Sequence, residues 1–80
     1  MDELSDLQQR ILHELFAAHP VPLDNVPAAR FDLPSLAALL DELDELRDAG
    51  WVEYRLANLS GYDRVRELWL TPFGLKHAPR

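Results

Sequence analysis

The chain contains no cysteine, which excludes a disulfide framework, a thiolate nucleophile and any zinc site built on cysteine. Its three glycines, Gly50, Gly61 and Gly74, are too scattered for a glycine-rich phosphate loop, and none forms a G-x-S-x-G elbow around Ser5, Ser35 or Ser60. His13, His19 and His77 lack metal-ligand spacing with one another or with the carboxylates. The opening stretch MDELSDLQQR has neither the basic start nor the apolar stretch of a signal peptide, and no run approaches membrane-spanning length. Basic residues are scarce as well, with 8 Lys and Arg against 14 Asp and Glu, a net charge of -6. Such a chain is repelled by phosphate at long range, so any nucleic-acid contact has to be local. These absences lead us to expect a single domain over residues 1–80, soluble and cytoplasmic, non-catalytic, without cofactor or metal and without a membrane partner.

What is present is unevenly distributed. Residues 1–50 hold eleven acids against Arg10, Arg30 and Arg47, whereas residues 51–80 hold Arg55, Arg64, Arg66, Lys76 and Arg80 against Glu53, Asp63 and Glu67. The field expected from this is a negative body with a mildly positive edge.

Ser5 followed by Gln8 forms a capping-box signature, with Leu4 placed for a hydrophobic staple. Leu7, Ile11, Leu12, Leu15 and Phe16 then recur at helical spacing, with Gln8, Gln9, Arg10, His13 and Glu14 on the wet side. The segment His19-Pro20-Val21-Pro22 ends this helix. In PLDNVPAARF, residues 22–31, the pattern reads as a short, imperfect second helix burying Leu23, Val26 and Phe31. Asp32 is the expected cap of a third helix, with Pro34 in its first turn, Leu36, Leu39, Leu40, Leu43 and Leu46 as its core stripe and Gly50 as its stop.

From Trp51 the period becomes two, and Val52, Tyr54 and Leu56 alternate with Glu53, Arg55 and Ala57. A second alternating run holds Arg66, Leu68 and Leu70, which makes a hairpin. Pairing Arg55 with Glu67 sets Val52 opposite Leu70 and Tyr54 opposite Leu68, whereas a shift by two would oppose Glu53 to Glu67. This register directs Trp69 and Glu53 outward, and places Arg66 on the core side with its stem snorkelling at the end of the sheet. Thr71 then caps, and Pro72 begins, a short terminal helix to about Lys76.

The run LAALLDELDELRDAGWVE leading straight into a strand, together with LWLTPFG closing the hairpin, resembles winged helix-turn-helix regulators of the MarR and PadR types over almost the whole chain. That resemblance implies an α+β, mainly α, fold: three helices, a two-stranded β-hairpin wing and a short C-terminal helix. It further implies a transcription regulator whose third helix enters the DNA major groove while the wing reaches the backbone or minor groove. The matching positions are Ser35, Ala37, Ala38, Asp41, Glu42 and Glu45 on the third helix, and Arg55, Arg64 and Arg66 on the wing.

The outward face of this third helix has no Arg, Lys, Asn or Gln before Arg47, although these are the usual readers of base edges. Its acids fit a docking surface for a basic protein, with Asp41, Glu42, Glu45 and Asp48 as candidates alongside Trp69, or else a solvated face that serves solubility alone. Asp48 also lies in the last turn, where a cation would suit the helix dipole better. Trp69, expected near Leu59 and Tyr62, is either a contact with another chain or is covered by residues 72–80. Trp51 and Tyr54 are expected in the core. The first functional reading is therefore a regulatory module that binds a protein through the acidic helix. The alternative is a DNA-binding regulator that uses Ser35, Arg55, Arg64, Arg66 and Lys76, and a homodimer joined through the wing and Trp69 stands behind both.

Overall fold

The structure, a computed structural model, describes residues 4–56 and 64–77. Its first helix, α1 (Asp6–Ala18), begins as the sequence suggests. Ser5 is extended and its Oγ accepts from the Gln8 N–H at 3.1 Å, while Gln8 Oε1 accepts from the Ser5 N–H at 3.1 Å. Two backbone donors that the helix start would leave bare are thereby satisfied. The helix stops at His19, whose N–H still reaches the Leu15 carbonyl at 3.0 Å before Pro20 diverts the chain. Ile11, Leu12 and Leu15 are buried. Gln8, expected on the wet face, is buried too, because its amide also donates to Glu45 Oε1 at 3.3 Å on a neighbouring helix.

The expected second helix is absent. Residues Leu23–Pro27 form a strand, β1, followed by a single 3₁₀ turn at Ala28–Phe31. Leu23 and Val26 are both buried although three residues apart, a spacing that imitates a helix but arises from Asn25, which stands at φ +51. Asparagine tolerates that left-handed conformation better than most residues. After the turn, Asp32 (φ +60) is not the cap of the next helix; its carboxylate accepts from Arg10 at 3.1 Å. Helix α2 (Leu36–Asp48) is capped instead by Ser35, whose Oγ accepts from the Ala38 N–H at 3.2 Å, so Pro34 lies before the cap rather than in the first turn.

Leu39, Leu43 and Leu46 of α2 are fully buried, with Leu36 and Leu40 packed at the margin. The helix closes at Gly50 (φ +89), where the Gly50 N–H meets the Arg47 carbonyl at 2.9 Å and the Trp51 N–H meets the Leu46 carbonyl at 2.8 Å. This pair of bonds is a Schellman closure, and glycine accommodates its positive φ without steric cost. The chain therefore enters the next strand in a set direction.

Strands β2 (Val52–Leu56) and β3 (Arg64–Leu70) pair antiparallel with Val52 opposite Leu70, Tyr54 opposite Leu68 and Arg55 opposite Glu67. The residues between these strands, 57–63, lie outside the described ones. The sheet has the order β1-β3-β2, so β3 is central and β1 pairs antiparallel with its other side, Leu23 to Leu68 and Val26 to Val65. A register shift follows Arg55, with Leu56 opposite Val65. Arg66 becomes the extra residue of a β-bulge, Val65 takes the inward place, and Arg66 faces solvent. The expectation that Arg66 snorkels from the core side is corrected by that bulge.

Helix α3 (Pro72–His77) is tied to the α2–β2 junction. Thr71 Oγ1 accepts from the Gly74 N–H at 2.9 Å and donates to the Gly50 carbonyl, while the Thr71 N–H bonds the Trp51 carbonyl at 3.1 Å. A Cβ on Gly74 would lie 1.9 Å from the Trp51 carbonyl oxygen, so only glycine allows this approach. Trp51 is half-buried against the core, its ring edge-on to Phe73 at 5.4 Å. The described chain is thus a small α+β domain of three α-helices and a three-stranded antiparallel sheet around one core.

Candidate functional site

Helix α2 projects its acids away from the leucine stripe, with Asp41, Glu45 and Asp48 at i, i+4 and i+7 and Glu42 beside them. Two of the five acids in this helix bond within the fold. Asp44 Oδ1 accepts from the Tyr54 hydroxyl at 2.5 Å and pairs with Arg47 at 3.2 Å, and the Arg47 guanidinium lies over the Tyr54 ring at 4.7 Å. This cluster fastens α2 to β2. Partial burial, reinforced by the bond to Asp44, raises the pKa of the Tyr54 hydroxyl above that of a free tyrosine. Glu45 holds Gln8 of α1. Asp41, Glu42 and Asp48 carry no ion pair or hydrogen bond among the described residues, and Asp41 and Asp48 are exposed. Ser35, a candidate for nucleic-acid contact, has its hydroxyl engaged as the helix cap.

The arginines of the sheet are engaged differently. Arg55 pairs with Glu67 across the β2–β3 ladder, as its register position suggests, and Arg66 pairs with Asp24 on β1. The second pair joins two neighbouring strands of the sheet, β3 and β1. It was illegible beforehand because Asp24 was assigned to a helix, not to the strand beside β3. Arg64 is half-buried at the start of β3 and also engaged. Lys76 is exposed in the last turn of α3. Asp63 and Arg80 lie outside the described residues.

Trp69 is 38 % exposed on β3, directly opposite Glu53 of β2. Its expected neighbours Leu59 and Tyr62 fall outside the described residues. Within them, Phe73 of α3 turns to Trp51 and to His77, the latter at 4.6 Å between ring centres. Trp69 instead forms one wall of a surface groove of about 280 Å³ with Leu15, the turn from His19 to Pro22, and Leu70. Val21 in that turn is 65 % exposed. No local pattern announced this neighbour; the one available hint was an apolar Pro-Val-Pro run left over after the helix ended.

Among the described residues no group of three or more His, Asp or Glu side chains is placed to hold a metal ion, and no helix is long and apolar enough to cross a membrane. No family model, curated protein or solved structure matches the chain.

Proposed function

We propose that this domain is a non-catalytic, regulatory winged-helix module that docks a basic protein surface through the acidic face of α2. One observation carries the reading: Asp41, Glu42 and Asp48 remain unpaired among the described residues, while Arg55, Arg66 and Arg47 are each joined to a carboxylate of the same fold. Charge left over after internal pairing is the charge available to a partner, and on α2 it is negative. The winged-helix plan draws support from the closure at Gly50, which sends α2 directly into β2, and from the antiparallel β2–β3 pair that follows. DNA held by Arg64, Arg66 and Lys76 is the competing reading, and Arg66 would have to release Asp24 to serve it.

The test combines two measurements on the purified domain. Asp41→Lys, Glu42→Lys and Asp48→Lys together should abolish capture of partner proteins that the unaltered domain retains, with the circular dichroism spectrum unchanged. Labelled random duplex, titrated at low salt, should not bind. Retained capture by the triple variant would remove α2 as the docking surface. Duplex binding that weakens as salt is raised would replace the protein reading with the DNA one.

A further inference from the structure

Among the described residues, two aromatic rings carry an arginine. The Arg10 guanidinium stands 5.5 Å from the centre of the Phe31 ring and is held by Asp32 at 3.1 Å. The Arg47 guanidinium stands 4.7 Å from the centre of the Tyr54 ring and is held by Asp44 at 3.2 Å. In both, one aromatic face and one carboxylate share a single planar cation. Arginine suits that arrangement because the guanidinium stacks flat on a ring while its N–H edge meets the acid.

Trp69 and Glu53 repeat the arrangement without the arginine. They are direct cross-strand partners on β3 and β2, and both are exposed. Side chains so paired leave the sheet on one face and within reach of each other. Among the described residues no cation lies over the Trp69 ring, the indole N–H meets no acceptor, and Glu53 meets no donor. Of the three ring types, tryptophan attracts a cation most strongly. Trp69 also borders the groove that runs along Leu15 and the His19-to-Pro22 turn. At about 280 Å³ that groove lies just under the size range of small-molecule sites and suits one aliphatic side chain.

We infer that Trp69 and Glu53 form a receptor for an arginine side chain of a partner protein, presented on an extended segment whose aliphatic residue two positions away, on the same side of the segment, enters the groove. The net charge of -6 favours such a cationic segment. A lysine is a weaker occupant, since its ammonium has no plane to lay on the indole and is more strongly hydrated. This receptor uses none of the acids of α2, so it stands or falls separately from the docking role proposed for that helix.

The two tryptophans, Trp51 and Trp69, give two indole N–H signals in a nitrogen-proton NMR spectrum, assigned with a Trp69→Phe variant. The probe is a blocked tetrapeptide, acetyl-Leu-Gly-Arg-Gly-amide, titrated into the intact chain. The Trp69 signal should move and saturate while Trp51 stays in place. The same peptide with citrulline, a neutral mimic of arginine, should bind at least about fivefold more weakly, and Glu53→Gln should weaken the arginine peptide several-fold. Replacing the leucine by glycine should also weaken binding if the groove takes the aliphatic residue. A stationary Trp69 signal, equal binding of the citrulline peptide, or unchanged affinity in Glu53→Gln would each overturn the arginine receptor. Unchanged affinity on loss of the leucine would overturn the share assigned to the groove.

Discussion

On α2, Asp41, Glu42 and Asp48 meet no partner among the described residues, whereas on the sheet Arg66 is joined to Asp24 of β1 and Arg55 to Glu67 of β3. Both regions were candidate contact surfaces by composition, one acidic and one basic. The difference teaches that formal charge counts poorly as a guide to recognition. A guanidinium already bonded to a carboxylate must give up that bond before it can meet a phosphate, and an acid with no partner has nothing to give up. The basic edge that residues 51–80 suggest is therefore largely consumed by the fold, and the acidic helix keeps a part of its charge for solvent or for a partner.

The comparison depends first on the core that holds both regions in place. Leu43 is fully buried under α2, and Leu43→Ala should lower unfolding free energy by about 2–5 kcal/mol, read by urea denaturation. A loss below that range would mean that α2 is held by its polar ties instead. The shortest of those ties is the Tyr54 hydroxyl on Asp44, at 2.5 Å. Tyr54→Phe should cost about 1 kcal/mol near neutral pH. Because folding raises the Tyr54 pKa, its contribution is complete below the ordinary tyrosine pKa of about 10 and is lost as pH rises through the folded-state value. The gap between the two proteins should accordingly narrow in alkaline urea titrations, and a gap that widens would contradict the shift.

Charge removal should then act with opposite signs in the two regions. Asp48→Lys, in the last turn of α2, should stabilise by about 0.3–1 kcal/mol through the helix dipole. Arg66→Ala should destabilise by about 0.2–1 kcal/mol through loss of the exposed pair with Asp24. Thermal midpoints of the two variants, compared at low and high salt, check the contrast: both effects should shrink as salt is raised. A destabilising Asp48→Lys would show that this acid supports the fold and is not held in reserve.

Much of the architecture is written in short stretches. Ser5 with Gln8, Gly50, and Thr71 with Pro72 each mark an element end through bonds that span three to five residues, and each stands where expected. The β2–β3 register also follows from three neighbouring pairs, apolar at Val52 and Tyr54 and oppositely charged at Arg55. The strand Leu23–Pro27 was misread for a physical reason. Its inward residues are three apart because Asn25 adopts a positive φ, and its pairing partner β3 lies some forty residues away in the chain. The position of Arg66 was misread through the same sheet, since a bulge breaks strict alternation without any mark in local composition.

The candidate surfaces divide along the same line. That α2 offers acids opposite its leucines, and that Trp69 faces outward beside Glu53, follows from helical and strand periodicity alone, because side-chain direction repeats every 3.6 or 2 residues. Which charges remain available does not. Arg66 meets Asp24, Glu45 meets Gln8 and Trp69 borders the turn at Val21 only because distant segments are folded against each other. Periodicity is a property of neighbouring residues, and it sets which way a side chain points. Pairing and coverage depend on contacts across the whole chain, and those arise when the core closes around Leu12, Leu43 and Leu68.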